Sequence, residues 1–120
     1  MFTIQTLLQK KVFGNHLAGT KPLEYRRNEW QELNKGRERS VRLIVRAMLG
    51  VPSAHQSEQE HALWCFQFQT GSLLVVYLQR GTVIELAAKQ EAEAEEDKDK
   101  EIEEAVDFLI EEVTTRLRQL

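Results

Sequence analysis

The sequence predicts an α+β fold: two helices, a three-stranded antiparallel β-meander and a long amphipathic C-terminal helix. Three observations carry that expectation. Residues 63–69 place the large aromatics Trp64, Phe66 and Phe68 at every second position in the manner of a strand, and residues 73–78 are apolar at every position. Residues 37–49 and 102–120 instead repeat apolar side chains at helical spacing. Finally, 42% hydrophobic and 29% charged residues in a chain of 120 match an ordinary globular domain and argue against wholesale disorder.

A chain this long buries roughly two-thirds of the surface its unfolded form exposes, enough for a core without a disulfide or metal. Residues 1–90 are read as an α+β core with a basic helix and the meander. Residues 91–120 are read as an acidic segment and an amphipathic helix that packs on the core or on a partner. The opening MFTIQTLLQKK fits a strand or a helix equally well, because Phe2, Ile4, Thr6 and Leu8 alternate while Ile4, Leu7, Leu8 and Val12 follow a helical step. Gly14, Asn15, Gly19 and Pro22 mark a loop. Pro22 suits a helix's first turn, and Leu23, Trp30 and Leu33 share one side of a helix that Asn34-Lys35-Gly36 ends.

From Arg37 to Leu49 the pattern sharpens. Val41, Ile44, Val45 and Met48 make one apolar face, and Lys35, Arg39, Arg42 and Arg46 track another. Glu38 is spaced to pair with Arg42. Gly50 caps this helix and Pro52 prevents its continuation. Residues 53–60 read as a polar loop. In the meander, Trp64, Phe66 and Phe68 share a face, Thr70-Gly71-Ser72 turns the chain, and Leu73–Leu78 forms a central strand covered on both sides. Arg80-Gly81 then leads into a third strand at Thr82–Leu86. The last helix draws a continuous seam through Ile102, Val106, Leu109, Val113, Leu117 and Leu120. Whether residues 87–100 extend it stays open, since they favour helix but offer no apolar face.

Charge is unevenly divided. Residues 1–90 carry 12 Lys and Arg against 7 acids, whereas residues 91–120 carry 4 against 12, for a net charge of −3. The low-complexity run from Glu91 to Glu104 is read as a solvated face or tail, with the basic stretch from Lys21 to Arg46 as its alternative destination.

No catalytic, cofactor or metal site is expected. One cysteine, Cys65, excludes an internal disulfide and a four-cysteine zinc site. His61 and Cys65 are four apart, but in a strand that spacing separates them by about 13 Å. Cys65 is therefore expected to pack as a small buried residue. His16 and His55 sit in no ligand motif, and Ser40, Ser53, Ser57 and Ser72 lack a nucleophile elbow. Gly71 and Gly81 read as hairpin glycines, and no phosphate-binding glycine pattern occurs. Asp97-Lys98-Asp99 lacks the glycine and distal glutamate of a calcium loop. Trp30, Trp64, Phe66, Phe68 and Tyr77 are expected in the core rather than as a base-stacking platform.

No apolar run approaches the ~18–20 residues that span a bilayer. The lysines after the first apolar residues reverse the order of a secretory signal, so the chain is read as soluble and cytoplasmic, with no membrane partner. The expected function is that of a small, non-enzymatic interaction or regulatory protein that acts through its basic helix face and its acidic segment. Lys35, Arg39, Arg42 and Arg46 are the expected partner-binding residues, acting on an oppositely charged protein. Nucleic acid is the alternative partner, because the helix–turn–helix outline and the arginines suit phosphates. A homodimer is expected as well, on the ground that three strands leave an apolar sheet edge or face to hide.

Overall fold

The computed structural model describes residues 2–56, 61–78, 85–89 and 96–120. Along the chain these form α1 (Ile4–Leu8), β1 (Lys11–Val12), β2 (Lys21–Pro22), α2 (Glu24–Asn34) and α3 (Glu38–Leu49). β3 (Ala54–Gln56), β4 (His61–Gln67), β5 (Leu73–Leu78), β6 (Glu85–Lys89) and α4 (Glu96–Arg118) follow. The class is α+β, as expected, but with four helices and a six-stranded antiparallel sheet in place of the simpler plan.

The expected meander is the centre of that sheet, β4–β5–β6. β5 falls where the uninterrupted apolar run placed it. Within the described residues β6 overlaps the end of the expected Thr82–Leu86 strand at Glu85 and Leu86 and runs on through Ala87 and Ala88, poor strand formers that pair with β5 on one side. On its other side β6 pairs with β2 through Lys21↔Ala88 and Pro22↔Ala87. Residues 82–84 and the Arg80-Gly81 connection lie outside the described residues. β1 and β3 both pair with β4, end to end along one edge, so the segment read as a polar loop supplies a strand at 54–56. Pro22, expected inside a helix, instead sits on the opposite edge strand, where its missing N–H is tolerated. Strands of two or three residues are too short to print a period in the sequence.

The ambiguous amino-terminal segment divides: residues 4–8 form the helix α1, while Val12, counted in the helical pattern, lies in strand β1. Thr3 and Thr6 exchange backbone-to-hydroxyl hydrogen bonds, each 3.1 Å, in a capping box, and Leu7 is fully buried. All four helices lie on one face of the sheet, α1 against α3, α3 against α4, and α4 against α2. Trp64, Phe66, Phe68, Leu74, Val76 and Leu78 project from the sheet into the same core as Trp30, Val41, Val45, Ile102, Leu109 and Val113. Leu120 departs from the expected seam: the helix ends at Arg118, and this residue is 81% exposed.

The opposite face is closed from within the chain. Residues 13–20 leave β1 at one edge and reach β2 at the other, laying Leu17 on Leu63, Cys65 and Val75. This path is pinned where Gly14, at φ +102°, donates its N–H to the Ser53 carbonyl at 2.8 Å.

Two polar devices lock the helices to this frame. The indole of Trp64 donates to the Gly50 carbonyl at 3.0 Å, and Lys11 Nζ donates to the carbonyls of Leu49 and Val51 at 3.0 and 2.8 Å. Both satisfy carbonyls at the C-terminus of α3, where a positive charge also suits the helix dipole. Between α2 and α4, the buried guanidinium of Arg26 pairs with Glu29 in its own helix and with Glu103 and Asp107 in α4. Burial alone would make that cation easier to deprotonate, but the hydrogen bonds it donates to the three carboxylates outweigh it and raise its pKa.

Replacing Arg26 with Met should therefore cost about 2 kcal/mol, since it leaves three carboxylates facing one another without a cation. A urea titration at neutral pH reads this as a lowered midpoint with an unchanged slope. An unmoved midpoint would show that α2 and α4 are held by packing alone.

Candidate functional site

Helical spacing and the position of the apolar core decide which way α3 faces. Val41, Ile44, Val45, Met48 and Leu49 are buried. The opposite arc of about 100° holds Arg39, Arg42, Leu43 and Arg46. Arg39 is exposed, Arg42 and Arg46 are half-buried, and Leu43 is 61% exposed. Lys35 is exposed in the connection before α3, one residue beyond the end of α2.

No ion pair among the described residues involves Lys35, Arg39, Arg42 or Arg46. The Glu38 carboxylate accepts from the Gly36 N–H at 3.2 Å rather than closing on Arg42. Backbone N–H groups, its own and that of Gly36, hold the Glu38 carboxyl below its usual range, and the charge of Arg42 adds to the effect.

Three other arginines of the basic stretch are engaged elsewhere. Arg26 is buried between α2 and α4, so one acid of the low-complexity run, Glu103, does meet the basic stretch. Arg37 donates from Nε to the Leu33 carbonyl at 2.9 Å and finishes α2. Arg27 lies 3.8 Å from Glu24 in its own helix. The outward charge is thereby concentrated on α3.

Leu43 was not singled out by the sequence reading, although its position four residues after Arg39 and three before Arg46 puts it among the arginines. A second surface feature also escaped it. On the outer side of α4, Glu104, Asp107, Phe108 and Glu111 line a groove of about 470 Å³ together with Phe2. The Phe2 and Phe108 rings are 5.6 Å apart and tilted by 45°. Only the folded chain brings residue 2 to this helix.

On the far face of the sheet, a cavity of about 330 Å³ is bordered by Asn15, Leu17, Gln56, His61, Leu63 and Tyr77. Cys65 lies beyond Leu63 on that face, fully buried. Burial pushes its thiol pKa up, against hydrogen bonding to the His16 backbone and to Ser53. Its thiol donates to the Gly14 carbonyl, with Sγ 3.7 Å from the oxygen. His16 donates from Nε2 to the Phe13 carbonyl at 2.8 Å. Among the described residues, no three histidine, cysteine or acidic side chains gather as metal ligands. No described helix is long and apolar enough to cross a membrane.

Comparison with protein-family models, with curated proteins and with solved structures finds no match.

The burial of Cys65 yields a direct test. A small aromatic disulfide reagent should label the native protein only as fast as it unfolds, and label it at once in denaturant. Immediate stoichiometric labelling of the native chain would show that residues 13–20 open readily from the sheet.

Proposed function

We propose that the protein is a non-enzymatic interaction module whose working surface is the outer face of α3. Arg39, Arg42 and Arg46, with Lys35 beside them, meet the negative charges of a protein partner. Leu43 supplies the apolar centre. The observation that supports this reading is the conjunction of three arginines, without ion-pair partners among the described residues, around a leucine that is 61% exposed. Charge would guide encounter and select the partner, and the leucine would add buried apolar area at the centre.

A protein partner is favoured over nucleic acid on two grounds. A phosphate backbone makes little use of a central leucine. The acidic outer side of α4, the helix against which α3 packs, would repel the dense charge of a nucleic-acid backbone more than the sparser acids of a peptide. Self-association is the second part of the proposal. Its original ground, an uncovered sheet, is weakened by residues 13–20, by four helices and by edge strands of two or three residues. A dimer would accordingly use the helix layer.

Fluorescence anisotropy can rank three labelled probes: an acidic peptide with leucines on one helical face, a polyglutamate of equal length, and a short DNA duplex. The acidic, leucine-bearing peptide should bind best. The triple variant Arg39→Glu, Arg42→Glu, Arg46→Glu should weaken it about tenfold or more without unfolding, since none of the three faces the core. Preference for the duplex with a steep loss on adding salt would replace this reading with nucleic-acid binding.

A further inference from the structure

The outer faces of α3 and α4 carry the same pattern with opposite charge. Around Leu43, arginines stand at four residues before, one before and three after. Around Phe108, Glu104, Asp107 and Glu111 stand at those same offsets. Both helices turn their other side into one core, through Val41, Ile44 and Met48 in α3 and Val106, Leu109 and Val113 in α4. Since α3 packs beside α4, the basic and acidic stripes run next to each other on the outside of one helix layer.

Shape follows charge. The basic stripe presents a protruding leucine, 61% exposed. The acidic stripe presents a groove of about 470 Å³ lined by the touching rings of Phe2 and Phe108 together with Glu104, Asp107 and Glu111. Glu104 and Glu111 are exposed and, among the described residues, take part in no ion pair, while Asp107 is already engaged by Arg26. Arg39 and Arg46 are likewise uncommitted among the described residues.

We infer that the partner of the α3 face is a second copy of this chain, joined helix layer to helix layer about a two-fold axis that runs along the seam between α3 and α4. This inference rests on the interaction reading above and names its partner. The operation lays each basic stripe on the other copy's acidic stripe, so both contacts form twice and the surface is its own complement. Leu43 enters the Phe2–Phe108 groove of the opposite copy. Arg39 and Arg46 reach the opposite Glu104 and Glu111. The offsets of four before and three after differ by one residue, about 1.5 Å along a helix, so these long side chains can meet whether the facing helices run parallel or antiparallel. The same pairing without closure would form chains of molecules, but adjacent stripes on one face permit the closed dimer.

Light scattering coupled to size exclusion tests this on the full chain. In about 0.02 M salt the mass should be near twice 14.0 kDa, falling towards the monomer in about 0.5 M salt as screening shortens the reach of the charges. Arg39→Glu with Arg46→Glu should weaken association about tenfold or more, and so should Glu104→Lys with Glu111→Lys. Mixing the two variants should restore a dimer, because each copy then offers the sign the other lacks. The variant carrying all four changes should pair with itself.

A wild-type chain that stays monomeric at about 1 mM in low salt would overturn the inference. So would a dimer indifferent to both reversals, or two folded variants that fail to pair on mixing; circular dichroism establishes folding in each case. A monomer that still binds the acidic, leucine-bearing peptide through its α3 arginines would sink the dimer alone. A monomer that binds none of the three probes would sink the interaction reading with it.

Discussion

Trp64 is the residue on which the arrangement of the helix layer turns. It is fully buried on the covered face of β4, and its indole N–H has to find an acceptor there. That acceptor is the carbonyl of Gly50, the residue that ends α3. A central strand and a helix terminus are thereby held together by one directional bond. Lys11 reinforces the same point from the edge strand β1, satisfying two further carbonyls of the α3 C-terminus. With its end fixed and its apolar residues in the core, α3 has one rotation available. The arginine-flanked Leu43 faces outward as a consequence.

Arg26 plays the corresponding part for α4. Its three carboxylate partners come from two helices, so the guanidinium sets the rotation of α4 against α2 as well as neutralising acids that would otherwise repel. That choice sends Glu103 and Asp107 towards α2 and leaves Glu104 and Glu111 exposed to solvent. The surface charge pattern is thus a product of what the interior consumes. Of the basic residues between Lys21 and Arg46, those of α2 and its connection to α3 are partly used in structure, and those of α3 form no ion pair among the described residues.

The sheet explains why function is sought on the helices. One side is covered by four helices, the other by residues 13–20 with Leu17 at their centre. Both edges are built from strands of two or three residues, and Pro22 lies on one of them. Such edges offer little for another chain to extend.

Reading the chain alone located β5, α3, the middle of β4 and the buried residues of α4, because each has enough length for a periodic burial signal to repeat. The outward direction of Arg39, Arg42 and Arg46 was equally legible, being fixed by the same helical period that buries Val41 and Met48. Three kinds of feature were not. The edge strands are too short to repeat anything, and their pairing partners lie far along the chain. Ala87 and Ala88 join β6 because β5 and β2 flank them, against their own preference. Arg26 meets Glu103 across 77 residues of sequence, and Phe2 meets Phe108 across a longer span still. Local spacing determines which face of a helix is apolar; only the packing of distant segments determines which charges are neutralised inside and which remain to meet a partner.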